Sequence, residues 1–194
     1  MTRFTPTRRH ALALTAAMLA TGPAFAAPRA YQVDKARSEV RFTYGLAGTK
    51  GQGTMLITHA AISLDFAAAS RSSAEVVLDA QGAKATNPLI TDALKSPEIL
   101  HTDVHPQIRF VSRKISAQSG GARMQGDVTL RGVTKSLTLD AQIYRPPGSA
   151  EGEYNRLTIH LTGSLSRSAF GASGYPKLVD DQVGLAITAR LLAN

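Results

Sequence analysis

Apolar side chains recur at every second position along most of this chain. In "SEVRFTYGL" Val40, Phe42 and Tyr44 share one face, while Glu39, Arg41 and Thr43 take the other. The spacing returns at Met55 and Ile57 and, after a short break, at Ile62, Leu64 and Phe66; it continues at Ala74, Val76 and Leu78. Ile108 and Phe110 begin another such run towards Ile115. "GDVTLRGVTKSLTLDA", residues 126–141, holds Val128 and Leu130 before a polar turn, and Leu137, Leu139 and Ala141 after it, with Ile143 following in phase. Two further stripes are Leu157, Ile159, Leu161 and Leu165, then Val183, Leu185, Ile187, Ala189 and Leu191. One segment departs from this rhythm. In "TNPLITDALKSPEILHTDVHP" Thr86 or Asn87 suits a helix N-cap, Pro88 suits the first helical position, and Pro97 and Pro106 limit the run, which predicts one short helix.

About eight or nine closely spaced strands with one short helix predict an all-β antiparallel barrel or sandwich. The long one-faced strands favour an extended barrel of about eight strands, because closure leaves no exposed edges. A barrel of that size either fills its interior with its own side chains or holds one ligand, and periodicity does not choose between them. Composition leans towards hollow: beyond residue 26 the chain has no Trp and four Phe, so most inward positions are aliphatic or small.

The opening "MTRFTPTRRHALALTAAMLATGPAFA" has the layout of a cleaved export signal over residues 1–26, with Arg3, Arg8 and Arg9 ahead of an apolar run and Ala24-Phe25-Ala26 as the cleavage site. The paired arginines suit twin-arginine export as well as the ordinary secretory route. Residues 27–194 are then expected to form a single domain, exported to the periplasm. Removal of the signal lowers the net charge from +8 to +5, and no Lys/Arg run of the kind that binds nucleic acid follows. With no cysteine in the chain, disulfides and thiol chemistry are excluded.

"YQVDKARSEVRFTYG", "HPQIRF", "GDVTLRGVTKSLTLDA" and "SRSAFG" occur in the order found in the YceI-like proteins, which the chain resembles over about residues 31–192. The matching positions are Asp34, Ser38, Val40 and Phe42; Pro106, Ile108 and Phe110; Gly126, Leu130, Gly132, Val133, Thr134 and Lys135; and Arg167, Phe170 and Gly171. The resemblance implies an exported, extended lipocalin-like barrel that binds polyisoprenoids or other long amphiphilic lipids in an apolar central pore. Gly132 is expected to permit the hairpin turn, and Thr134 and Lys135 to satisfy its polar groups. The chain departs from the pattern at Arg37-Ser38, where His-Ser is common, and at the short Gly-rich "GLAGTKGQG", so the pocket mouth and head-group preference are not carried over.

Phe42, Tyr44, Phe110, Leu139, Ile159, Leu161, Leu185 and Ile187 are the expected ligand-binding residues, with Arg41, Lys50, Arg109 or Arg167 meeting a polar head at a barrel mouth. Tyr44 discriminates most, since its hydroxyl needs a partner when buried and would reach a mouth or bond a head group. The alternative is a filled-core structural or partner-interaction barrel of the cell envelope. "HTDVH", residues 101–105, reads as an ordinary polar connection rather than a metal site. No G-x-S-x-G elbow accompanies His59 or His160, so no catalytic residue, metal or cofactor is assigned. The expected partner is a long-chain isoprenoid or fatty lipid and not nucleic acid; transient contact with a membrane surface and a homodimer are both compatible with the sequence.

Overall fold

A computed structural model describes residues 27–194; the expected export signal lies outside the described residues. The strands are β1 (Arg29–Val33), β2 (Glu39–Leu46), β3 (Thr49–Leu64), β4 (Ser73–Ala85), β5 (Gln107–Gln118), β6 (Gly121–Leu130), β7 (Val133–Tyr144), β8 (Arg156–Ser166) and β9 (Gln182–Ala193), with helix α1 (Pro88–Lys95) between β4 and β5. Neighbours along the chain from β2 to β9 pair antiparallel, and β2–β9 pairing closes the ring. The short β1 also bridges β3 and β9, in line with β2, so β1 and β2 together make one of eight staves. The expected antiparallel barrel of about eight strands with one helix is thus what the chain forms.

Two details of register explain the interruptions in the alternation. β3 is one continuous strand of 16 residues, and Thr58 is the extra residue of a bulge between the Ile57–Leu78 and His59–Val77 pairs. A bulge moves every later side chain to the other face, so the inward set passes from Met55 and Ile57 to Ala60, Ile62 and Leu64. β5 does the same at Arg113, moving its inward set from Ile108 and Phe110 to Ile115 and Ala117. On the outer face, cross-strand pairs Arg109–Glu75, Arg113–Asp127 and Arg123–Asp140 tie neighbouring staves.

The hairpin of residues 126–141 turns through Arg131 and Gly132 alone, with φ of 53° and 74°, the two positive values that a type I′ turn requires. Gly132 has the expected role, whereas Thr134 and Lys135 already belong to β7: the Thr134 hydroxyl pairs with Thr129 across the strands at 2.8 Å. Arg131 instead reaches over the barrel end, donating to the carbonyls of Pro97 and Ile99 and so fixing the segment after α1. In α1 itself Asn87 is the cap, accepting from the Ile90 amide at 3.0 Å, with Pro88 first as expected.

An apolar bore as the candidate functional site

The inward faces of the staves do not meet. They enclose a cavity of about 600 Å³ whose lining runs from Leu89, Ile90 and Leu178 at one end to Leu64, Phe66 and Ile143 at the other. All eight of the expected residues, Phe42, Tyr44, Phe110, Leu139, Ile159, Leu161, Leu185 and Ile187, lie on this lining. Register alone sets residues of neighbouring staves side by side: Phe42 pairs with Leu185, Val40 with Ile187, and Ile187 with Leu161.

The two ends are built differently. At one, α1 and residues 171–181 form the rim, and Leu89 and Leu178 both line the cavity and stand 81% and 53% exposed, so apolar surface is continuous from lumen to exterior. At the other, the polar connection "RPPGSAEGEYN" folds back. Its Tyr154 stacks on Phe66 with ring centroids 3.9 Å apart and accepts, through its carbonyl, the Tyr31 hydroxyl at 2.9 Å. Beside Phe66, Asp65 accepts from the Ala67 and Ala68 amides and pairs with Arg71 at 2.5 Å. Burial works to raise the Asp65 carboxyl, but those amides and the guanidinium outweigh it and hold the group below its usual 3.8.

Three of the four cations expected at a barrel mouth are engaged elsewhere. Arg41 and Arg109 face outward in ion pairs with Glu39 and Glu75, at 2.7 and 2.8 Å, and Lys50 is exposed on β3, beside the β2–β3 hairpin. Arg167 does line the cavity, yet its guanidinium is consumed by the backbone of the rim: it donates to the carbonyls of Ala172, Gly174, Val179 and Asp180. It is buried to 7% exposure and acts as the hub around which residues 171–181 wrap. Among the described residues no three His, Cys, Asp or Glu side chains are grouped to hold a metal ion, and His101 and His105 meet edge-on with centroids 5.9 Å apart. His160 lies on the outer face, edge-on to Tyr144, away from the bore.

Of the two roles expected of Tyr44, its hydroxyl does not take the first, since it is covered by protein and does not open at a barrel mouth. Its ring lies flat against the wall over Gly51, its partner on β3, and its hydroxyl is covered without a hydrogen-bond partner. An unsatisfied buried hydroxyl costs about 1–3 kcal/mol. Tyr44→Phe is therefore expected to stabilise the guest-free protein by about 1 kcal/mol, raising Tm by about 2–4 °C in a thermal melt. A lower Tm would mean that the hydroxyl has a partner.

Residues 31–191 match the sequence profile of the YceI-like domain. The chain belongs to the YceI-like family. Curated relatives include a UPF0312 protein of Serratia proteamaculans, 32% identical over 78 residues that make up 40% of this chain and 40% of that protein. A UPF0312 protein of Pectobacterium atrosepticum is 32% identical over 87 residues, 45% of this chain and 39% of the relative. The alignments thus span about two-fifths of the curated relatives' length. Among solved structures, Burkholderia cenocepacia BcnA superposes with a TM-score of 0.72 at 19% identity, covering 82% of this chain and 99% of that one. A polyisoprenoid binding domain from Saccharophagus degradans gives 0.61 at 11% identity, covering 86% and 99%. At such identities these two likenesses bear on the fold, and they agree with the closed YceI-like barrel.

Sequence reasoning missed three contributors to the bore. Ile90, Ala93 and Leu94 of α1 enter the lining, a face that helical spacing in "PLITDALK" already offered. Phe66 continues the stripe of Ile62 and Leu64, but its stacking partner sits 88 residues later in a connection with no apolar pattern. The third is glycine: "GLAGTKGQG" is a tight hairpin turning at Ala47 and Gly48, φ 49° and 80°, and its Gly51 and Gly53 lie within β3 under Tyr44 and Phe42.

Proposed function

We propose that this YceI-like protein is a periplasmic binding or carrier protein for a polyisoprenoid or other long-chain amphiphilic lipid, held with its chain inside the barrel. The observation that carries this reading is the open bore itself. A continuous apolar cavity of about 600 Å³ falls within the range of small-molecule sites, roughly 300–1,000 Å³, and counts against a filled-core structural barrel. The fold shared with a domain described as polyisoprenoid binding supports it, as does the export-type pattern of residues 1–26. The work required is burial rather than bond chemistry, since the bore is lined almost wholly by hydrocarbon and the histidines His59 and His160 lie outside it. Native mass spectrometry of protein isolated from its own cell envelope tests the reading. One long-chain guest per chain, released on denaturation, is the expected result; a bare chain that also fails to take up long-chain alcohols or isoprenols defeats it.

A guest of this kind resides in membranes, and the rim of α1 and residues 171–181 is where it would cross. Leu89→Asp and Leu178→Asp are expected to slow uptake of a labelled isoprenol from phosphatidylcholine vesicles, each by about tenfold, because removing an apolar anchor of about 1.5–3 kcal/mol weakens contact with the bilayer. Both side chains are mostly solvated, so stability should stay within about 0.5 kcal/mol. An unchanged transfer rate would place entry elsewhere.

A further inference from the structure

Four large inward side chains share an arrangement that single strands do not reveal. Phe42 lies over Gly53, Tyr44 over Gly51, Phe110 over Gly126 and Leu139 over Gly163, in each case a glycine on the adjacent strand. A Cβ placed on those glycines would stand 2.1 Å from Phe42 Cζ, 2.4 Å from Tyr44 Cε2, 2.5 Å from Phe110 Cζ and 2.7 Å from Leu139 Cδ2. No real Cβ approaches a carbon so closely. Each large side chain therefore occupies the space a neighbour's side chain would have taken, and lies along the wall instead of across the bore.

We infer that these glycines set the clearance of the bore, and that Gly51 is the position that admits methyl-branched, isoprenoid chains in addition to straight ones. The inference rests on the lipid-binding reading above and names the class of chain that the same cavity selects. Gly51 is singled out by what surrounds it. The three atoms nearest to its absent Cβ all belong to Tyr44, whereas Gly53, Gly126 and Gly163 each also have a backbone carbonyl, of Lys84, Val111 and Thr138, within 2.4–2.8 Å. A methyl group at the other three would strain the wall; at Gly51 it meets only a ring that can move. Where that ring goes is also fixed. Phe42 stands beside it with ring centroids 6.1 Å apart, Leu46 continues the stripe towards the rim, and Val183 lies one step beyond the Thr43–Gly184 pair on β9. With β3 closed to it, the lumen is the direction left.

An isoprenoid carries a methyl branch every four backbone carbons and needs width along its whole length, while a straight acyl chain does not. Losing room for one methyl-sized group in an apolar pocket is worth about 10–200-fold in affinity. The test compares geranylgeraniol with straight-chain eicosanol, two alcohols of twenty carbons, by competitive displacement of a fluorescent fatty acid from the folded protein. In Gly51→Ala, affinity for the branched alcohol is expected to fall at least about tenfold and for the straight one less than about threefold. Tyr44→Ala in the same variant should restore the branched alcohol, because the displaced ring is then gone. Equal losses for both alcohols, no loss for either, or no rescue in the double variant would overturn the inference while leaving the lipid-binding reading standing. Failure of the unaltered protein to bind either alcohol would overturn that reading itself. A circular dichroism melt of each variant separates lost binding from lost fold.

Discussion

Arg167→Ala is expected to cost about 3–5 kcal/mol of folding stability, lowering Tm by about 10 °C, and to release residues 171–181 from the rim. The magnitude follows from what the side chain does. One buried guanidinium donates to the carbonyls of Ala172, Gly174, Val179 and Asp180. Hydrogen bonds from a charged donor contribute about 1.5–3 kcal/mol each, and carbonyls left unpaired in a buried site add the penalty of their own desolvation. The sum is held below full additivity because an opened segment regains water. Arg167→Lys should rescue little of the loss, since an ammonium is a point donor and the planar fork reaches carbonyls on both sides of the segment. Thermal denaturation gives the size of the effect, and hydrogen exchange at residues 171–181 gives its place. A melt within about 1 °C of the unaltered protein would show that the segment is held by something else.

A second large effect is a steep dependence of affinity on chain length that stops abruptly. Each methylene moved from water into the bore contributes about 0.8 kcal/mol, so each should tighten binding about fourfold. The cavity of about 600 Å³ has room for about 20 non-hydrogen atoms at a water-sized share of about 30 Å³ each. A chain that fills it gains about 16 kcal/mol gross, against about 4–15 kcal/mol for association, so chains of ten carbons or fewer should scarcely bind and those near about 20 should bind usefully. Beyond that length the added carbons stay in the rim or in water, and the gain per methylene should drop towards zero. Displacement titration with a ladder of primary alcohols from about 10 to about 26 carbons would show the slope and the break. A flat series, or a slope without a break, would mean that the chain lies on a surface and not inside a bore of this volume.

The sequence reading failed where physical identity depended on a partner strand. Alternation exposed the stripes of β7, β8 and β9 in full, because those strands carry no bulge and each apolar residue keeps its face. In β3 the parity of the stripe changes between Ile57 and Ile62, which looks like a gap between two strands; the cause is the single extra residue Thr58, and one extra residue leaves no compositional mark. Glycine is ambiguous in the same way. Gly48 and Gly132 sit in turns at positive φ, as glycine-rich stretches suggest, yet Gly51 and Gly53 are flat wall positions whose meaning comes from the rings of Tyr44 and Phe42 across the ladder. The sequence offers Arg167 only as one of four cations that could meet a head group at a barrel mouth. Its carbonyl partners come from a loop 5–13 residues downstream, and no period in the sequence announces a backbone that wraps one side chain.

The most direct test is a crystal structure of the protein grown with geranylgeraniol. The lipid-carrier reading predicts one extended tube of density along the barrel axis, in contact with Phe42, Phe110, Leu139 and Leu161 and ending near the rim of α1 and residues 171–181. A lumen closed by its own side chains, with the alcohol absent or bound only on the outer surface, would contradict it.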